Sequence, residues 1–453
     1  VNNGSLIRYD LSWIETITGT RYVGVIVGLG EAAYVWGAQL VIGTESLDYV
    51  RTDSEANPTY DLFTGFIQSI GHGAELGNRF ATYNCYDLIQ TLNRAKIDSS
   101  VFTDTPVNSL VSAVCSLAGI SSYTNIDAIT DIVPYFWANN REAVGVLDEL
   151  VRYGHYYMFV DGGGIFNFVD RNAYVSATAQ QSYSEFYGLS TQYVEDKIFN
   201  EVSISGQTRR QASNVGTIAW INDAITVAGS SSVQFWLQYV DPAAPTESAP
   251  AVGVVSPVSS SDYLMSSTVS GSGDRTSTSS ATISAFGEAA LCTVFNGVGV
   301  ASYLTKFQLR GFSLQKTPQI RQTVVNSASQ AIYGRKQFIL DSALMHSTDY
   351  ARGYADFVAD KYKDAFPSIS ASPPKNSWPD TLTMEVGDLI SLTNSHLSVN
   401  SQYVIRQLSH SISTGGGIQH LLELDLEVAR TGSYLILDDA TLGVLDDERI
   451  LGF

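Results

Sequence analysis

The chain has 453 residues and carries 26 Lys and Arg against 45 Asp and Glu, a formal net charge of −19 at pH 7. A surface of that sign repels phosphate backbones, which excludes the electrostatic footprint of a tight nucleic-acid binder. The length predicts roughly two to four domains, and 44% apolar with only 16% charged residues, 37 Gly, 25 Tyr and 19 Phe predict a β-rich globular protein with much surface hidden in partners.

The first residue is Val1 rather than Met, and no charged and apolar leader follows it, which fits a processed or trimmed start. Residues 1 to about 95 read as strand-rich, with candidates at Leu6–Trp13, Tyr22–Val27, Tyr34–Ile42, Leu62–Ile70 and Arg79–Cys85. The apolar run Tyr22–Gly43 is not expected to span a membrane, because Glu31 sits near its middle and glycines break it into two strands. LFTGFIQSI (62–70) and RFATYNCYDLIQTLNR (79–94) predict a strand pair followed by a short helix. A punctuated helix follows, with Thr105 as cap, Pro106 at the first helical position, Val107, Leu110, Val111, Val114 and Leu117 on one face, and Gly119 past the end. Cys85, Cys115 and Cys292 are far apart and read as isolated buried thiols.

Residues 139–171 form the clearest local unit. Asn139 and Glu142 make a capping-box pattern, and Ala143, Val144, Leu147, Leu150 and Val151 recur at helical spacing until Gly154. Tyr156–Val160 and Ile165–Val169 then read as a hairpin around Asp161-Gly162-Gly163-Gly164. One helix and one hairpin bury too little alone and must dock on something larger.

Beyond Tyr193, FNEVSISG (199–206) alternates as a strand and Trp220–Tyr239 offers two or three more. Asp241–Ser284 is rich in Ser, Thr, Pro, Gly and Ala and is expected to be a long surface insertion or an extended β segment rather than a core. Strands resume at Ser302–Ser313 and Gln319–Val325, a helix is expected over His346–Phe366, and SISASPPKNSWPD reads as a linker. Leu382–Met384, Leu389–Leu392, Gln402–His410 and His420–Val428 complete a last β unit.

Chemical motifs are sparse. His72, His155, His346, His396, His410 and His420 contain no HExxH and no closely spaced pair with a nearby carboxylate, so they read as structural or surface residues. Asp161-Gly-Gly-Gly lies between two strands with no following Lys, which favours a turn over a phosphate cradle. Asp161, Asp170, Glu195 and Asp196 are too generic to nominate as a glycosidase pair. In the tail, Leu-Asp-Asp repeats at 437–439 and 445–447 without the order of an EF-hand. It reads as an extended arm whose Leu435, Leu437, Leu442, Leu445, Ile450, Leu451 and Phe453 dock on a neighbouring chain. No catalytic, cofactor-binding or metal-binding residue is assigned.

The order LFTGFIQSI, CYDLIQTLNR, the capped helix with YYMFVDGGGIFNFVDR, FNEVSISG, the long helix, MEVGDLISLTN and YVIRQLSHSISTGGGIQHLLELDLE resembles that of tailed-bacteriophage tail hub and tail-associated (minor tail) proteins, relatives of the baseplate hubs of contractile tails, over roughly Ile7–Val428. The resemblance implies a β-rich α+β fold: a multidomain hub with two tail-tube-like β-barrel domains plus smaller mixed α/β and β domains. It implies a tube-like barrel at 1–98, a mixed helix and hairpin domain at 99–175, a second barrel at 176–370 carrying the insertion near 241–284, a small β domain at 371–430 and the arm at 431–453. It further implies a virion protein of the tail tip, without enzymatic activity or cofactor. Such a protein is a homotrimer that adapts a sixfold tube to a threefold tip, with tail tube or distal tail proteins above and fibre, spike or tip proteins below. Genomic DNA would pass through its channel without specific binding. The alternative reading is a tail-tip carbohydrate-binding adhesin or cell-wall hydrolase.

Overall fold

The computed structural model describes residues 61–451 apart from 76–77, 171–172, 174–177, 194, 366, 374–380, 414–418, 429–433 and 436–449. The strands expected at Leu6–Trp13, Tyr22–Val27 and Tyr34–Ile42 lie outside the described residues.

The described chain opens with an antiparallel ribbon of β1 (Phe66–Glu75) and β2 (Asn78–Tyr86), paired from Phe66 opposite Tyr86 to Glu75 opposite Asn78 with a register shift between Ile67 and Ser69. Asp87 then accepts from the Ile89 amide at 2.9 Å and starts α1 (Leu88–Arg94), so the expected strand pair and short helix both form. After β3 (Lys96–Ile97) and β4 (Phe102–Pro106), helix α2 (Val107–Leu117) begins without the expected Thr105 cap. Thr105 is held in β4, and Pro106 is itself the N-cap. The free helix amides go elsewhere: Val107 N donates to Asp131 O at 2.9 Å. β5 (Thr124–Ile126) and β6 (Ile132–Phe136) follow, β6 pairing with β4.

The Asn139–Glu142 capping box is not made. Arg141–Glu142 is instead a short strand, β7, paired with β3, and α3 (Ala143–Gly154) starts directly after it. The helix ends on His155 in the left-handed region (φ 59), while Gly154 is required by packing, since a Cβ there would lie 2.1 Å from the Tyr156 ring. β8 (Tyr157–Val160) and β9 (Phe166–Val169) form the expected hairpin, with Gly164 at φ 80 in its turn and β5 parallel to β9.

From here the topology is nested. β10 (Gln181–Tyr183) and β11 (Gly188–Tyr193) find partners only near the C-terminal end, as described below. β12 (Glu201–Gly206) is likewise left unpaired by its neighbours in sequence, because residues 207–319 fold on their own. That segment holds β13 (Arg209–Gln211), β14 (Gly216–Trp220), β15 (Ile225–Val227), β16 (Ser231–Gln238), β17 (Val240–Asp241), β18 (Ala244–Ser248), β19 (Ala251–Val255), β20 (Tyr263–Ser266), β21 (Ser279–Ala285), β22 (Ala289–Asn296) and β23 (Ser302–Lys316). The 15-residue β23 is its spine: β13, β14, β15, β19 and β20 each pair antiparallel with it. A second sheet, β16–β22–β21, turns Val233, Phe235, Ala290, Cys292 and Val294 towards Leu304, Phe307 and Leu309 of the spine, and the two sheets share one core. Both Cys115 and Cys292 are buried thiols as expected, whereas Cys85 is exposed on β2.

The expectation that 241–284 is exposed and outside the core is overturned. Ala251, Tyr263 and Met265 are buried in this core, and Asp262, 1% exposed, anchors its loop through a bidentate pair with Arg310 (2.7 and 2.8 Å) and the Val258 amide. Burial alone would push the Asp262 carboxyl up; the Arg310, Val258 and Gln308 hydrogen bonds hold it below its ordinary value. The Ser, Thr and Gly that suggested an open segment are the outward-facing positions of strands, such as Ser280 and Thr282, and turn residues, such as Gly271 and Gly273 with positive φ.

β24 (Ile320–Val325) resumes the outer fold antiparallel to β12, and after α4 (Ser327–Tyr333), β25 (Gln337–Asp341) lies parallel on the other side of β12. The expected long helix is α5 (Thr348–Tyr362), capped by Ser347 and packed on β12 and β24. Its Ala351, Tyr354, Ala355 and Val358 join α1, α2, α3, β9 and β12 in one core, so the helix–hairpin unit docks here. β26 (Pro367–Ser372), β27 (Leu389–Asn394), β28 (Val399–Ser413) and β29 (Gln419–Val428) complete a six-stranded sheet in the order β10-β27-β28-β29-β26-β11. The start of the expected linker is therefore an inner strand, with Ile369 and Ala371 buried, and Leu382–Met384 is not a strand. β30 (Tyr434–Leu435) pairs parallel with β31 (Ile450–Leu451). The fold is β-rich α+β; among the described residues no helix is long and apolar enough to cross a membrane.

The insertion is tied to the outer fold at two places. At its neck Thr317 N donates to Thr208 O at 3.0 Å and the Thr208 and Thr317 hydroxyls bond each other, so the β12–β24 pairing runs on into β13–β23. At its side Glu288 accepts from Trp137 Nε1 (3.0 Å) and Asn139 Nδ2 (2.8 Å), and Gly287 N donates to Ser99 O (2.7 Å). Replacing residues 207–319 by a two-residue turn is expected to leave the outer fold with a cooperative thermal transition by circular dichroism. Deleting 241–284 alone, which opens the insertion core, is expected to abolish soluble folded protein or the insertion's own transition.

Candidate functional site

The β8–β9 turn meets the approach to β27 in a cleft of about 300 Å³ lined by Phe159, Asp161, Asn167, Gln180, Glu385 and Asp388 among others. Each carboxylate is committed to holding backbone. Asp161 Oδ1 accepts from Ile165 N (2.8 Å) and its Oδ2 from Asn167 Nδ2 (3.0 Å), which closes the turn. Glu385 Oε1 accepts from Gly162 N (3.0 Å), and Asp388 Oδ2 accepts from Glu385 N (2.8 Å). A residue larger than Gly at 162 would collide with Asp61 O and Glu385 Oε1, so the close approach depends on that glycine. Nearby, the Arg406 guanidinium of β28 lies 4.2 Å from the centre of the Tyr157 ring of β8 and reinforces the same junction.

Burial pushes the Glu385 carboxyl up to about 7, against the pull of the Gly162 amide and with help from the Asp161 and Asp388 charges. Asp388 is raised too, first by burial. A carboxyl that exchanges its proton near neutrality can act as an acid or base. Here it shares one turn with Asp161 instead of facing it across a sugar-sized gap, and its geometry is that of a latch between the hairpin and the six-stranded sheet. Of the four carboxylates weighed in the sequence, only Asp161 borders the cleft; Glu195 pairs with Lys336 at 3.3 Å and Asp170 lies past the end of β9. Nothing local to residues 385–388 marks the latch, since its contact with the hairpin spans more than two hundred residues.

His155 and His346 are built into packing, whereas His72 and His396 are exposed. His346 Nδ1 lies 3.1 Å from Tyr153 Oη and its ring stacks on Tyr350, with burial holding its pKa down, while His155 Nε2 meets Lys361 and Tyr362, each at 3.3 Å. Among the described residues no three His, Cys, Asp or Glu side chains are arranged to hold a metal ion. Of the expected docking residues, Leu435, Ile450 and Leu451 lie in the paired β30 and β31, whereas Leu437, Leu442, Leu445 and Phe453 lie outside the described residues. Large apolar side chains are exposed elsewhere: Phe66, Ile70 and Tyr86 along the β1–β2 ribbon with Phe63 just before it, and Trp236 and Phe295 on the insertion.

The latch has a pH signature. Because the folded Glu385 binds its proton more tightly than an ordinary carboxyl, the stability it contributes is fully present below about 4.5 and is lost as pH rises through about 7. Chemical denaturation of the native chain is expected to show a loss on the order of 1 kcal/mol between pH 5 and pH 8, allowing for the screening of a half-exposed group. Glu385→Gln, which keeps the acceptor for Gly162 N, is expected to flatten that slope; an unchanged slope would sink the assignment.

No protein-family model matches the sequence, and no curated protein is similar to it in sequence. Solved structures similar to it include three tail proteins. The 43 kDa tail protein of prophage MuSo2 from Shewanella oneidensis has 9% identity and a TM-score of 0.43, over 82% of this chain and 78% of that one. A tail protein from Neisseria meningitidis MC58 has 8% identity and a TM-score of 0.47, over 82% of each chain. The prophage tail protein gp18 from Listeria monocytogenes EGD-e has 9% identity and a TM-score of 0.38, over 83% of this chain and 81% of that one. In each case what this chain is similar to is a tail protein, two of them from prophages.

Proposed function

We propose that the chain is a structural subunit of a phage tail: a trimeric hub at the tail tip, contacting the tail tube or distal tail proteins on one side and fibre, spike or tip proteins on the other. The observation that supports this reading best is the succession of elements. The motifs that carry the resemblance occupy a strand pair with a short helix, a helix with a glycine-turned hairpin, the strand β12, the long α5 and the strands β27 to β29, in the order the resemblance requires. On this reading the two tube-like units are residues 1–98, which include the β1–β2 ribbon, and the part of 176–370 whose β10 and β11 edge the six-stranded sheet. The insertion is an addition to that plan, and the arm at 431–453 reaches a neighbouring chain through its leucines and Phe453.

The ribbon gives the ring a physical motive. Two strands alone are marginal in water, and this pair exposes Phe66 (53%) opposite Tyr86 (41%), an apolar rung that assembly would cover. In such a ring the 45 acidic residues supply a channel wall that does not hold passing phosphate.

Sedimentation and native mass measurement are expected to give a trimer for the purified chain or for the chain inside assembled tails, and Phe66→Ser is expected to weaken that association by about tenfold or more. A monomer in both settings would overturn the reading. Imaging of the assembled ring is expected to show more Asp and Glu than Lys and Arg on the lumen; a basic lumen would defeat the channel argument.

A further inference from the structure

The outer face of the β16–β22–β21 sheet is built differently from the rest of the surface. Alternation along its strands turns every second residue to the core and leaves the others outward. β16 turns Gln234 and Trp236 outward, β22 Thr293 and Phe295, and β21 Thr282; the other outward positions are Ser, Gln, Leu or Ala. No charged side chain stands on this face, in a protein whose net charge is −19. Two large rings do stand on it, Trp236 at 59% and Phe295 at 41% exposure.

The rings are placed rather than scattered. Trp236 lies opposite Leu291, and Phe295 is two outward positions further along β22. With about 3.4 Å of rise per residue and about 4.8 Å between strands, their Cα atoms are about 14 Å apart along the sheet. Between them Gln234 and Thr293 sit cross-strand with Gln234 Nε2 donating to Thr293 Oγ1 at 3.2 Å, which leaves the Gln234 carbonyl and the Thr293 hydroxyl proton available. The indole is braced from one side by Phe286, ring centres 5.5 Å apart, so it costs little to order on binding.

We propose that this face binds a neutral polysaccharide, with Trp236 and Phe295 as stacking platforms and the Gln234–Thr293–Thr282 row as hydrogen-bond partners for hydroxyl groups between them. A pyranose has an apolar C–H face and a rim of hydroxyls. The negative face of an aromatic ring attracts the polarised C–H bonds, and uncharged amides and hydroxyls match the rim as both donors and acceptors. The charge pattern selects among glycans: a face with no cation inside an acidic protein repels an anionic polymer and is indifferent to a neutral one. A second copy of this chain would find a hydrated row of Ser, Thr and Gln with no complementary charge and two rings too far apart to form one apolar centre. This inference stands apart from the tail hub: a trimer could form with the face inert, and the face could bind glycan on a monomer.

The test is affinity electrophoresis of the full chain in native gels containing dextran, laminarin, mannan or galactomannan, with alginate as the anionic control. Retardation by at least one neutral polysaccharide is expected, with none by alginate. Trp236→Ala and Phe295→Ser are each expected to raise the dissociation constant for that polysaccharide by about tenfold or more, at unchanged unfolding temperature. If Trp236→Ala fails to fold, the double variant Gln234→Ala with Thr282→Ala, both exposed, reads the same site. No retardation by any neutral polysaccharide, or retardation that survives these variants, overturns the proposal. So does a Trp236→Ala variant that changes the sedimentation of the protein while leaving polysaccharide binding intact, which would make the face a contact between copies.

Discussion

The pairing of β12 on both sides governs the architecture. Its six residues lie between β24 and β25, both drawn from beyond residue 319, and its inner face contributes Val202 and Ile204 to the core that holds α1, α2, α3 and α5. Asn200, fully buried at the head of the strand, fixes that arrangement: its side chain donates to Ser329 Oγ and Gly334 O and accepts from Lys336 N, spanning both flanking connections. A buried amide with these bonds broken would carry a desolvation cost, so the strand tolerates one register. Everything inserted after Gly206 must return to Ile320, its partner across the ladder.

That requirement explains why 207–319 is a closed body with its own core. Its first and last strands, β13 and β23, are partners, and they continue the β12–β24 ribbon through a neck of Gln207, Thr208, Thr317 and Pro318. The second attachment, Trp137 and Asn139 on Glu288 with the Arg209 guanidinium 5.1 Å from the Trp137 ring centre, fixes its rotation about the neck. Ribbon and clamp together hold the insertion against the helix–hairpin unit at a set angle, and with it the aromatic face of β16–β22–β21.

Local chemistry was legible where the element closes on itself. The turn at Asp161–Gly164, the alternation of FNEVSISG and the periodicity of α5 could be read because their determinants lie within a few residues. Reading failed where a distant partner outbid the local preference. Glu142 could not complete a capping box once Arg141–Glu142 was claimed by β3, and Ser368–Ser372 could not be a linker once β29 and β11 were on either side of it. Composition misled at 241–284 because Ser and Thr mark the outer face of a strand as readily as a loop. Glu385 was invisible for the same reason as β10–β27: neither leaves a local trace.

The adjacency of Gly206 and Ile320 also bears on inheritance. A body whose two ends are neighbouring rungs of one ladder can be lost, gained or exchanged for another at that point with the outer sheet hardly altered, since a hairpin turn suffices to close the gap. Residues 207–319 therefore form a cassette, free to change in sequence and length while the ladder that carries them keeps its register.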